Sequence, residues 1–307
     1  MATQLQQAHF QNAEKARAYL ERVRWPDGPI CPHCGSVEKH YELEGKSTRP
    51  GVYKCSDCRE QFTVTVGTVF ERSKIALNIW LQAVYLLCSS KKGISSHQLH
   101  RTLGVTYKTA WFMSHRIREA MTNNPTGLLG SGGGTVEADE TFWGNNKPRK
   151  PTKGRGYAHK MKVFALVERG GSVRSFKVAN IRGVTLSAII RQHVAPDANL
   201  RTDEASMYTK IGREFASHEI VKHSKGEYSR DGAHTNTIEG YFSLLKRGLI
   251  GTYHKCGEQH LQRYAHEFSF RYNNREKLGV NDVMRTEAAL RGISGKRLTY
   301  RRIDSQA

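Results

Sequence analysis

The sequence predicts an α/β chain in which a mixed-sheet domain follows a small four-cysteine ribbon and a helical segment. Three observations lead there. Two CxxC pairs, Cys31/Cys34 and Cys55/Cys58, stand 20 residues apart. Amphipathic helical patterns fill residues 75–121. After the Gly-rich stretch 123–134 the pattern becomes alternating strands and helices. The 307 residues divide accordingly: 1–70 as N-terminal helix and ribbon, 71–122 as a helix-turn-helix-like segment, 123–134 as a linker, 135–278 as the mixed-sheet domain and 279–307 as a C-terminal tail.

Each element has a local reason. Residues 10–24 carry Ala13, Ala16, Tyr19, Leu20 and Val23 at helical spacing, closed by Pro26-Asp27-Gly28. The C-x2-C-x20-C-x2-C pattern makes two knuckles whose thiolates face one ion. Four cysteines close a tetrahedral structural Zn²⁺ site and leave no open position for catalysis. A redox dithiol is the alternative, and two pairs without a βαβ frame argue against it. Cys88 and Cys256 read as inert thiols, and residues 61–68 alternate as a strand that completes the ribbon.

Residues 75–89 form a helix with Ile75, Ile79, Trp80, Ala83, Leu86 and Leu87 on one side. Ser95/Ser96 and Thr106 are caps for two further helices, joined by Leu103-Gly104-Val105. A helix-turn-helix would present Tyr107, Lys108 and Thr109 to DNA at the start of its second helix; an ordinary helical hairpin is the competing reading.

Charge narrows the partner. Lys and Arg number 48 against 28 Asp and Glu, a formal charge of +20. Such a balance favours a polyanion, and without a basic amphipathic helix it favours nucleic acid over membrane. The first 24 residues lack an apolar leader region, and no run approaches the ~20 apolar residues of a membrane span. The expectation is a cytoplasmic, nucleoid-associated chain with reduced cysteines.

Beyond residue 134 the order is strand (135–143), basic loop (145–160), strands 163–168 and 172–179 joined by Arg169-Gly170-Gly171, helix (186–194), strand (199–202), a short strand near 219–221, then helices 236–250 and 258–273. That order fits a ribonuclease H-like fold. Asp139 then lies on the first strand, Asp203 at the end of the fourth and Glu239 on the helix after it. A basic protein gains little in folding from converging acids but gains a site for divalent metal. Mg²⁺, or Mn²⁺, takes hard oxygen ligands and keeps waters, so few carboxylates suffice. Two such ions, roughly 3.5–4 Å apart, serve both oxygens of a phosphodiester displacement. Glu137, Glu140 and Glu204 read as ordinary surface charge beside the aspartates. Asn236 is a second candidate for the third ligand, or an N-cap with Glu239 as its capping-box partner. Lys246 follows Glu239 by seven residues, two turns along the same face.

Asp139, Asp203 and, after 35 intervening residues, Glu239 resemble the acid triad of the DDE transposases. With the cysteine ribbon, ADETFWGNN and HTNTIEGYFSLLKRG, the chain is closer still to zinc-ribbon transposases of the ISXO-like group of bacterial insertion sequences, kin to the Merlin elements. Asn145-Asn146 stand where that pattern has a second glycine. The resemblance implies metal-dependent cleavage of element ends and strand transfer into target DNA. By position it assigns Asp139, Asp203 and Glu239 or Asn236 to metal and Lys246 to DNA. It also implies terminal inverted repeats and target DNA as partners and a homo-oligomer on DNA. Lys147, Arg149, Lys150, Lys153 and Arg155 of the basic loop, with Arg247, are further DNA candidates on charge. A nuclease or resolvase of the same fold, or a non-catalytic zinc-ribbon DNA-binding regulator, are the alternatives.

Overall fold

The computed structural model describes residues 3–122, 126–144, 160–221 and 234–299. The basic-loop residues Lys147, Arg149, Lys150, Lys153 and Arg155 lie outside the described residues. The architecture is mixed α/β, divided into two compact units: Met1–Thr122 with Gly279–Ala307, and Asn123–Leu278.

The first unit opens with α1 (Ala8–Gln11) and α2 (Ala13–Arg24). The single helix expected there is divided at Asn12. Its Oδ1 accepts the Glu14 and Lys15 N–H groups at 2.9 and 3.0 Å and so caps α2. Strands β1 (His40–Glu42), β2 (Tyr53–Cys55) and β3 (Gln61–Phe62) form an antiparallel ribbon in the order β1-β2-β3. Trp25 packs edge-on against Tyr53 and Phe62, giving this thin sheet its apolar backing. Helix α3 (Leu77–Ser89) buries Trp80, Leu81, Ala83, Val84, Leu87 and Cys88.

Helix α4 (Ser96–Leu103) is capped by Ser95 Oγ on the Gln98 N–H, and Gly104 ends it at φ +65°. Helix α5 (Tyr107–Ala120) is capped by Thr106 Oγ1 on the Thr109 N–H. Residues 279 onward, expected as a tail, belong to this unit. The last helix among the described residues, Asp282–Arg291, buries Ala289 and Leu290, and Ile293 is buried just beyond it. Tyr19 donates to Glu287 at 3.2 Å, and Arg285 donates to the Cys88 carbonyl at 3.2 Å.

The second unit is built on a five-stranded mixed sheet of β4 (Thr135–Trp143), β5 (Met161–Glu168), β6 (Val173–Val178), β7 (Asn199–Asp203) and β8 (Ser217–Val221), in the order β6-β5-β4-β7-β8. The pairs β4/β5 and β5/β6 are antiparallel; β4/β7 and β7/β8 are parallel. The turn between β5 and β6 uses Gly170 at φ +74°. Helices α6 (Gly183–His193) and α7 (Thr209–Gly212) cover one face, where Val136, Ala138, Phe164, Leu166 and Leu200 meet Leu186, Ile190, Tyr208 and Ile211. Helices α8 (Asn236–Gly248) and α9 (Leu261–Asn273) cover the other, where Val163, Ala165 and Val167 meet Ile238, Tyr241, Leu245 and Phe268. Part of the expected linker is also built in. Leu129 is buried and bridges Val194, its N–H on the His193 carbonyl.

Candidate active site

The period-two alternation of β4 decides which acid faces which helix. Val136 and Ala138 enter the core under α6, so Glu137 and Asp139 face α8. The parallel register sets Glu137 opposite Arg201, and that register carried two residues on brings Asp139 toward Asp203 at the end of β7, within Coulomb range of it. Glu239 lies in the first turn of α8 and is exposed, as are Asn236, Lys246 and Arg247, while Ile238, Tyr241, Phe242 and Leu245 fill the buried side.

Electrostatics tie the three acids together. Burial, then Glu140, then Asp203 and Glu239 push the Asp139 carboxyl up to about 8, against the Glu140 N–H, which favours its charged form. The Glu140 N–H reaches Asp139 Oδ1 at 2.7 Å, and the Ala205 N–H reaches Asp203 Oδ1 at 3.1 Å. Thr235 Oγ1 donates to Glu239 Oε1 at 3.1 Å. Thr235, not Asn236, occupies the N-cap position of α8; Asn236 is its first helical residue. The acids hold one another at Coulomb range, and among the described residues they do not close into a mutual 4.8 Å group.

The acids read as surface charge differ in role. Glu137 is fully buried. Its Oε1 accepts from Arg169 Nε at 2.7 Å, and its Oε2 accepts the Ile238 N–H at 2.9 Å, in the first turn of α8. Arg169 Nη2 donates to the His234 carbonyl at 2.7 Å. One buried carboxylate, two residues from Asp139 on the same face, thus fixes where α8 begins and where Glu239 stands. Its parity with Asp139 was the available signal. Glu140, on the opposite face, accepts from the buried Tyr208 hydroxyl at 2.6 Å. Burial raises the Glu140 carboxyl while this hydrogen bond opposes the rise. Glu204 is exposed.

A hard divalent cation fits the donor set of Asp139, Asp203 and Glu239: all oxygen, partly buried, with the central carboxyl raised by burial and then by its acidic neighbours. In the ribbon the sulfurs of Cys31, Cys34, Cys55 and Cys58 all lie within 4.8 Å of one another. Cys31 and Cys58 are 3.7 Å apart, Cys34 and Cys55 3.6 Å. Zn–S bonds of about 2.3 Å in a tetrahedron put sulfurs roughly 3.8 Å apart, so the thiols are already arranged for zinc.

Of the expected DNA contacts in the first unit, Tyr107 opens α5, exposed and stacked on His97 with ring centroids 4.3 Å apart; Lys108 and Thr109 follow it in the first turn. Among the described residues no helix is long and apolar enough to cross a membrane.

Residues 131–273 match the ISXO2-like transposase domain, and residues 11–61 match the transposase zinc-ribbon domain. An uncharacterized protein in transposable element ISH50 of Halobacterium salinarum is 30% identical over 283 residues, covering 85% of this chain and 91% of that one. An uncharacterized transposase-like protein of Haemophilus influenzae is 29% identical over 99 residues, 32% of this chain and 79% of its own length. The ribbon and the acid-bearing sheet are matched in the same order, and a transposable-element protein aligns along most of both chains: the protein belongs to the ISXO2-like transposase family.

Proposed function

We propose that the chain cuts the ends of an insertion sequence and transfers the freed strand into target DNA, in a reaction that depends on divalent metal. The observation that carries this is the shared electrostatic environment of Asp139, Asp203 and Glu239, supplied by two adjacent strands and the helix that follows. The first and fourth strands of the sheet are neighbours, as the ribonuclease H-like reading expects.

Asp139, Asp203 and Glu239 are the residues to hold Mg²⁺ or Mn²⁺, with Asn236 in the same first turn of α8 as the alternative to Glu239. When bound, such ions supply charge stabilisation at the phosphodiester and lower the pKa of the attacking hydroxyl. In the first step water adds to phosphorus and the bridging oxygen leaves as a 3′-OH. In the second, that 3′-OH attacks a target phosphodiester and the target's own 3′ oxygen leaves. The protein's part is placement. Glu137 and Arg169 hold the start of α8 against β4. Lys246, about 10 Å further along α8, binds backbone phosphate, and Arg247 and the loop cations Lys147, Arg149, Lys150, Lys153 and Arg155 extend that contact. The zinc ribbon, closed by four thiolates, is structural, and α5 presents Tyr107, Lys108 and Thr109 to the terminal repeat. Joining two element ends calls for at least a dimer on DNA.

Incubating the protein with DNA carrying the element's own ends, in Mg²⁺, in EDTA and as Asp203→Ala, tests the reading. Joined products that need both metal and Asp203 are expected. Cleavage without joining would favour a nuclease or resolvase, and tight binding with neither would favour a regulator.

A further inference from the structure

We propose that a basic cavity in the first unit, between residues 72–75 and the flank of α5, is a phosphodiester site that grips the DNA backbone. The proposal rests on the DNA-binding part of the reading above and is independent of the acid triad. The cavity holds about 320 Å³, and Arg72, Lys74, Lys108 and Arg116 share its walls with the rings of Trp80 and Phe112. That is the lower end of pocket volumes, room for one small ligand group.

Arg116 is the built part of the site. Its side chain is 6% exposed, with the guanidinium 5.6 Å from the Trp80 ring centre and 5.5 Å from that of Phe112. Nη2 donates to the Glu71 carbonyl at 2.6 Å, while the buried Nε–H has no hydrogen-bond partner. Burial, with Arg297 next in effect, draws the Arg116 pKa below its usual value. The Glu71 carboxylate, which partly offsets this, accepts the Gly67 N–H through Oε2 and lies 3.7 Å from Arg72 through Oε1. A buried cation with incomplete hydrogen bonding is costly until an anion meets it.

The walls are pre-formed. Ser73 Oγ accepts both the Ile75 N–H, at 3.1 Å, and the Trp80 indole N–H, at 2.8 Å, which fixes the ring and the turn that carries Arg72 and Lys74. Several cations beside aromatic rings suit a phosphate and its flanking sugar better than a lone carboxylate. The cavity reaches the first turn of α5 through Lys108 and Thr109. A phosphate held there would set how that turn meets the bases, the positioning role that backbone contacts play in DNA recognition.

The test is equilibrium binding of the full chain to a duplex carrying the element's end, across a salt series, for the wild type and Arg72→Ala/Lys74→Ala. Both residues are exposed, so an unchanged melting temperature checks the fold. Each lost phosphate contact should reduce the salt slope by about 0.9, so a reduction of about 1–2 is expected. Replacing phosphates one at a time by neutral methylphosphonate should reveal a position that weakens wild-type binding and has no further effect in the double variant. An unchanged slope with undiminished methylphosphonate sensitivity overturns the proposal. So does binding of inorganic phosphate alone with no effect of the variant on DNA, or no DNA binding by the wild type. Cutting, scored on the same duplex, separates the two readings: a pocket-dependent slope without cutting overturns only the catalytic one, and cutting with an indifferent slope overturns only the pocket.

Discussion

The four thiols of the ribbon come from two CxxC knuckles, each local in sequence, and their sulfurs already stand within 4.8 Å of one another. The three acids come from positions 139, 203 and 239, on two strands and a helix, and meet only at Coulomb range. Both offer ligand atoms of the kind a metal takes, but they load the fold in opposite senses. The thiol set is closed, and filling it adds stability to a thin three-stranded sheet. The carboxylate set is open and self-repelling, and it stays assembled because β4 pairs in register with β7 and because Glu137 holds the start of α8.

The largest effect should come from opening the closed cluster. Structural zinc in finger-sized domains binds with about 10–16 kcal/mol, so Cys55→Ser should release the ion. Metal analysis should fall from one zinc per chain to none, and hydrogen exchange should rise across residues 31–62; a retained zinc would break the comparison. Next is Glu137→Ala, which takes the carboxylate from Arg169 and the acceptor from the Ile238 N–H. Arg169 is 26% exposed and keeps the His234 carbonyl, so the loss should fall short of a fully buried pair's, at about 1–3 kcal/mol, expected as a lower denaturation midpoint. Glu137→Gln, which keeps one acceptor for the Ile238 N–H, should recover part of it. If Glu137→Ala melts like the wild type, α8 is held by something else.

A smaller effect of opposite sign is expected at Asp139. Its folded pKa of about 8 lies far above the ~3.9 of a free aspartate. The fold therefore binds the proton more tightly than the unfolded chain does. Stability from this group is full below about pH 4 and is lost as pH rises through about 8. In chelator, Asp139→Asn should melt higher than the wild type at pH 8 and lack that part of the pH slope, while cutting no DNA. An equal slope in both proteins would mean that neither burial nor its acidic neighbours hold the Asp139 proton. The smallest effects belong to the proposed DNA contacts. Neutralising Lys147, Arg149, Lys150, Lys153 and Arg155 should weaken binding evenly across sequences and flatten its salt dependence, and Lys246→Ala should lower the slope by about 1.

The same contrast explains what could be read in advance. The thiol cluster is a property of spacing within two short segments, and the helix starts at Ser95 and Thr106 are properties of single caps, so each is visible in the chain itself. The approach of Asp139 to Asp203 depends on a parallel pairing across 60-odd intervening residues, which alternation within one strand does not contain. Glu137 reads as surface charge in the sequence because an acid in a strand usually is one; its parity with Asp139 points inward, toward the helix it anchors. Residues 279–299 resemble a tail because Ala289, Leu290 and Ile293 make only a brief apolar stripe, and it is tertiary packing that gives the stripe its place. The break at Asn12 follows from a side chain that competes with the backbone for N–H groups.

The most direct test of the central claim is a calorimetric titration of Mn²⁺ into the full, zinc-loaded chain. The wild type is compared with Asp139→Asn, Asp203→Asn, Glu239→Gln and Asn236→Ala. The account predicts saturable binding that tightens from pH 6 to 8, is lost in both aspartate variants and is weakened more by Glu239→Gln than by Asn236→Ala. Binding that survives both aspartate changes, or that follows Asn236 and ignores Glu239, would contradict it.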